Sequence, residues 1–153
     1  MAHVKYLAID PGLSTGWALL DAWGDLVGCG NGQDWPAGID RAIIELPQVY
    51  RPGMSHAKPE NLITLAVRVG QYKERLEVSG AVVLLEKPAT WKGQVPKSVH
   101  HPRIRKALLP SEIPAMLAGL RGVTAKRSED VWDAIGLAKW AFANGRFANG
   151  RLR

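Results

Sequence analysis

Four carboxylates stand where a chain could use them for chemistry: Asp10, Glu86, Asp130 and Asp133. Asp10 ends one apolar run (VKYLAID, 4–10) and Glu86 ends another (AVVLLE, 81–86). Each is followed within two positions by a proline, Pro11 or Pro88. A short apolar run stopped by proline is the pattern of a buried strand. In open α/β sheets, ligands collect at the carboxyl ends of the strands. Two such strands side by side would bring both acids to one sheet edge. A strand end also carries polar residues simply because the chain is leaving the core, so either acid alone has an ordinary explanation. Asp130 and Asp133 are three positions apart at the expected start of a helix, and residues at that spacing share a face. The helix dipole favours acids in the first turn by roughly 0.3–1 kcal/mol each. Asp133 lies deeper, beside Trp132, Ala134 and Gly136, where an acid needs a partner or a metal.

Clustered carboxylates raise one another's proton affinity unless a cation neutralises them. Mg²⁺ and Mn²⁺ prefer such all-oxygen surroundings. Two such ions about 4 Å apart can activate a water and stabilise the leaving oxygen in phosphodiester hydrolysis. The charge distribution fits a polyanionic partner. Segment 87–127 holds nine basic residues and one acid, Glu112, which leaves 11 basic and 13 acidic residues in the rest of the chain. A basic block beside an acidic cluster gives a nuclease its two needs, one to hold a backbone and one to cut it. A solvated basic face is the alternative.

The elements that must position these groups are those of one domain. The chain has 153 residues, 46% hydrophobic and 22% charged, which is a globular balance and excludes wholesale disorder. It has no apolar run long enough to span a membrane and no visible secretory signal. Cys29 is the single cysteine, so a disulfide framework and a cysteine zinc site are excluded; it reads as a small core residue. A cytoplasmic setting is expected. Segments 4–10, 16–20 and 26–29 read as an antiparallel meander, and 39–46 as a short helix. A helix is expected from Pro59 to about 78, with Leu62, Leu65, Ala66, Val69, Tyr72 and Leu76 at helical spacing. The run 81–85 has no polar alternation, the mark of a strand covered on both faces. The basic block is broken by Pro88, Pro96, Pro102, Pro110 and Pro114, which predicts short elements and loops, with a further strand near Val95 or 122–125 left open. Ser128 is the expected N-cap of a last helix to about 143. A nuclease domain over 1–143 and a loose basic tail over 144–153, with its repeated Phe-Ala-Asn-Gly-Arg, complete the plan. The fold class is α/β: a mixed sheet, antiparallel in its first three strands with parallel additions, flanked by helices.

The chain resembles RuvC-type Holliday junction resolvases, which have the RNase H-like fold. The resemblance lies in Asp10-Pro11-Gly12 with Thr15-Gly16-Trp17-Ala18, in the strand ending at Glu86, and in Asp130-Val131-Trp132-Asp133-Ala134. It implies that Asp10, Glu86, Asp130 and Asp133 hold two divalent ions, Mg²⁺ with Mn²⁺ able to substitute. The implied activity is hydrolysis of a strand in branched DNA. The family also places a basic residue near the scissile phosphate; Lys92 and Lys97 are the candidates, with Lys106 behind them, and plain phosphate contact is the alternative role. Arg103 and Arg105 join these as candidate DNA contacts. Bacterial RuvC carries an aromatic wedge shortly after its glutamate motif. Trp91 is the candidate here, and a core position is its alternative. Counted from Glu86, 43 residues precede Asp130, fewer than in bacterial RuvC, whose longer stretch includes a dimerisation helix and a strand. That shortening looks like the RuvC-like proteins of phages. It leaves a homodimer open by another route, in a bacterial or phage-infected cytoplasm. Two other functions fit the same motifs: an RNase H-like nuclease acting on RNA, and a binder of branched nucleic acid that does not cut. His100-His101 reads as phosphate- or water-contacting, since adjacent side chains diverge too far to share a metal.

Overall fold

The computed structural model describes residues 3–12, 14–49 and 58–148. Five strands form one sheet: β1 (Tyr6–Asp10), β2 (Gly16–Leu20), β3 (Leu26–Asn31), β4 (Arg41–Glu45) and β5 (Val82–Glu86). Their spatial order is β3-β2-β1-β4-β5. The first three pair antiparallel, and β4 and β5 add in parallel to β1. This is the mixed α/β sheet expected from the sequence.

Within 39–46, where a short helix was expected, Arg41–Glu45 form the strand β4. Ala42, Ile43 and Ile44 are fully buried, and β4 sits between β1 and β5. A β-branched pair buried on alternate faces suits a central parallel strand better than one helical stripe. The run 81–85 is a strand, but an edge one. Val83 and Leu85 pack toward the helix α1 (Pro59–Val78), while Val82 on the opposite face is 53% exposed. The cover on that opposite face reaches β1, β2 and β3 more fully than β5.

That cover is α5 (Ala125–Ala143). Its small residues Ala134, Ala138 and Ala141 are fully buried, and they let the helix lie close to the sheet. Thr124 caps α5, its hydroxyl accepting from the Arg127 amide at 3.3 Å. Ser128, the expected cap, sits inside the first turn and donates to the Ala125 carbonyl at 2.6 Å. Between β5 and α5 the basic block folds as α2 (Pro88–Trp91), α3 (Lys97–Ala107) and α4 (Ile113–Leu120), and no strand forms there. Helix α3 packs on α5 and α4 on β3.

Strand alternation decides which side chains meet. Leu7, Ile9, Ala42 and Ile44 face α1 with Val69, Tyr72 and Leu76. Ala8 and Ile43 face α5 with Val131 and Ile135. Two residues further along the strands, Asp10 and Glu45 therefore emerge on the α5 side. The chain after α5 turns back: Phe147 is buried and stacks on Tyr6 with ring centres 4.8 Å apart. Phe147 thus ties the start of the tail to β1, while its neighbours Asn144, Gly145, Arg146 and Ala148 are exposed; 149–153 lie outside the described residues.

Candidate active site

Four carboxylates from three elements line a cavity of about 200 Å³ at the carboxyl edge of the sheet: Asp10, Glu45, Asp130 and Asp133, with Lys92 and Lys97 beside them. Asp10 accepts from the Gly12 amide at 2.9 Å. Asp130 accepts from the Ser14 amide at 3.1 Å and its hydroxyl at 3.0 Å, and Asn31 Nδ2 donates to that hydroxyl at 2.8 Å. The loop after β1 is clamped from behind by Arg68, which donates to the carbonyls of Pro11 and Gly12. Thr15 in that loop has φ 55°, unusual for a β-branched residue, and its buried hydroxyl is 2.7 Å from the Tyr72 hydroxyl. A strained conformation persists only where its surroundings fix it. These contacts fix it.

Asp133 is the most heavily partnered acid. Its Oδ1 is 2.9 Å from His101 Nε2, and its Oδ2 is 3.2 Å from Lys92 Nζ and 3.9 Å from Lys97 Nζ. Burial would raise its pKa, but the His101 hydrogen bond and the two ammonium groups outweigh burial and bring it down to about 2. Asp10 goes the other way. Burial raises its pKa well above the ordinary value, and the facing Glu45, Asp130 and Asp133 push it further. Glu45 is also raised, chiefly by burial. Burial disfavours the Lys92 ammonium, yet Glu45, Asp133 and Asp10 together hold its pKa above the ordinary lysine value.

The donor set suits a hard divalent cation. Every acid donor is a carboxylate oxygen, and Asp10 is buried among like charges, a condition such a cation relieves. Among the described residues no three of these side chains form a finished metal cage. Asp133, Asp130 and Glu45 are each held by protein partners.

Glu86, expected in this set, does not line the cavity. Its Cα is the register partner of Glu45 on the next strand out, and its Oε2 is held by Arg146 Nη2 at 2.5 Å. Glu45 stands where Glu86 was expected because β4, not β5, is the neighbour of β1. Counted from Glu45, 84 residues precede Asp130. They contain α1 and β5. Trp91 is 8% exposed and donates its indole N–H to Glu45 Oε2 at 2.7 Å. It packs over Gly136 of α5 and positions Glu45, the core alternative rather than the wedge. Of the basic candidates, Lys92 and Lys97 reach the cleft. Arg103 borders a separate cavity between α3 and α5, and Arg105 and Lys106 are exposed in the last turn of α3. His101, expected to contact a phosphate or a water, sits on Asp133. Its spacing of four from Lys97 puts both on one face of α3, a pattern that only a helix over Lys97–Ala107 reveals.

No protein-family model and no curated protein sequence matches the chain. Two solved structures of Thermus thermophilus RuvC are similar to it. The one in complex with a Holliday junction substrate has a TM-score of 0.55 at 14% identity, covering 95% of this chain and 97% of that chain. The other has a TM-score of 0.56 at 14% identity, covering 94% of this chain and 96% of that one. With the same mixed five-stranded sheet and flanking helices, the chain has a RuvC-like fold of the RNase H-like kind.

Proposed function

We propose that this protein is a divalent-metal-dependent endonuclease that hydrolyses phosphodiesters in branched DNA. The observation that carries the reading is the convergence of four carboxylates from β1, β4 and α5 on one cavity, with two lysines at its rim. Asp10, Glu45, Asp130 and Asp133 would hold the metal, Mg²⁺ or Mn²⁺. Such an ion supplies water activation and neutralises charge on a leaving oxygen. The protein's own side chains supply the rest. Lys92 and Lys97 present ammonium groups where a phosphate would gain charge. His101 and Trp91 hold Asp133 and Glu45 in place. Branched DNA is proposed as substrate because one similar RuvC structure is in complex with a Holliday junction substrate. Symmetric cutting of such a junction takes two sites in one assembly, so the working form would be a homodimer.

The test is cleavage of four-way and three-way DNA junctions, and of matched RNA, with and without Mg²⁺ or Mn²⁺. Metal-dependent cutting of branched DNA that is lost in both Asp10→Asn and Glu45→Gln is the expected result. Cutting retained in both variants would sink the assigned site, and preferential cutting of RNA would move the substrate.

A further inference from the structure

A second cavity of about 400 Å³ adjoins the carboxylate cleft, lined by Ser14, Lys97, Lys126, Arg127, Glu129 and Asp130. Lys97 and Asp130 line both cavities, which therefore share a wall. Their charges differ. The cleft sets four acids against two lysines, whereas the second cavity sets three bases against two acids. Both of those acids are already engaged: Asp130 Oδ2 accepts from Ser14, and Glu129 is paired with Lys97 at 2.9 Å. Among the described residues, neither Lys126 nor Arg127 is in an ion pair. Both lie in the first turn of α5, where positive charge opposes the helix dipole, and no acid offsets them there. Helix stability does not account for two cations in that place.

We propose that this cavity binds a backbone phosphate adjacent to the one presented to the cleft, with Lys126, Arg127 and Lys97 as its donors, and so sets which bond of the bound strand meets the carboxylates. The proposal rests on the phosphodiester reading of the cleft. Because the cavities share Lys97 and Asp130, a strand filling the basic one enters the acidic one at a fixed offset. Glu129 competes with that phosphate for Lys97. Removing its charge should therefore strengthen binding.

The experiment titrates branched DNA in EDTA, with a single neutral methylphosphonate moved one phosphate at a time past the branch. The proteins are wild type, the K126A/R127A double variant and Glu129→Gln. Wild type is expected to lose about tenfold in affinity at one position, the worth of a charge-assisted hydrogen bond. K126A/R127A, already weaker and left with Lys97 alone, should lose distinctly less at that position. Glu129→Gln should bind unmodified DNA more tightly and lose that gain at the same position. Equal losses in wild type and K126A/R127A, or no sensitive position, overturn the proposal. Binding is read without metal, so a protein that never cuts still answers the question. Conversely, normal metal-dependent cutting with no sensitive phosphate would leave the nuclease reading standing and remove the subsite. With Mg²⁺ added, cuts by K126A/R127A should spread over neighbouring bonds. A single sharp cut in that variant overturns the register-setting role.

Discussion

Asp10 and Glu112 are 6% and 1% exposed, yet the protein treats the two acids differently at every bond. Glu112 sits in the seam between α4, α5 and β3. Its Oε1 accepts from the Leu26 amide at 2.6 Å and from Lys139 Nζ, and its Oε2 accepts from the Leu109 amide at 2.7 Å. Burial would raise its pKa, but these donors outweigh burial and lower it. Asp10 has one backbone donor and faces three other carboxylates, and its pKa is raised. Depth is therefore no guide to role. A buried acid with donors on both oxygens fastens elements together; one left short among like charges marks a place prepared for something else.

The contrast can be broken most forcefully at Asp10. Asp10→Asn should cost at least about 10²–10³ in metal-dependent cleavage of branched DNA, while the metal-free variant melts higher than wild type because repulsion is relieved. A variant that is both inactive and less stable would put Asp10 in the same class as Glu112. Glu112→Ala should destabilise by about 3–5 kcal/mol in urea unfolding, since it strands Lys139 and two amides. Its activity per folded molecule should be unchanged.

A second pair sharpens the point at lower magnitude. Glu45 and Glu86 are register partners, but only Glu45 lines the cleft. Cleavage should fall about 10² with Glu45→Gln and stay within a few-fold with Glu86→Gln. Equal losses in the two would mean that the cleft extends one strand further out.

The smallest effect is in the acid titration of the metal-free protein. Glu112 has a folded-state pKa below its ordinary 4.5. Its ion contributes stability above about pH 4.5, which is lost as pH falls through the folded value. Asp10 has a folded-state pKa above its ordinary 3.8. Its ion costs stability at neutral pH, and that cost vanishes as pH falls through the raised value. Glu112→Gln should therefore melt below wild type at pH 7 and Asp10→Asn above it. Both differences should shrink on acidification. An Asp10→Asn difference that grows toward low pH reverses the sign and removes the contrast.

The antiparallel meander and the long α1 were legible because their runs are bounded by turns or by proline. The strand β4 was not. Its apolar centre is only Ala42-Ile43-Ile44, flanked by Arg41 and Glu45, and a run so short does not separate strand from helix. That one misreading carried over to the site. Glu45 ends an apolar run and is followed by Pro47, the same format that marks Asp10 and Glu86, so the pattern itself holds for β4 as well. Asp130 and Asp133 were legible because helical spacing is local. The bond of His101 to Asp133 was not, because the prolines at 96, 102 and 110 predict short elements and loops rather than one helix over 97–107. Proline removes one backbone donor, and α3 runs on through Pro102. Trp91 was open between wedge and core. Its indole N–H bond to Glu45 depends on a strand the sequence did not reveal.

Gly12 and Gly16 have a practical consequence. A methyl at Gly12 would overlap the Asp130 carboxylate, and one at Gly16 would overlap the Asp130 backbone. Neither glycine donates a ligand or moves a proton. In a saturation screen scored by lost activity, both positions would nonetheless tolerate as little as the acids themselves. A map of intolerant positions would draw the candidate site larger than its chemistry, and only a readout of folding beside the readout of cutting would separate the two glycines from the acids, Asp130 above all, that they make room for.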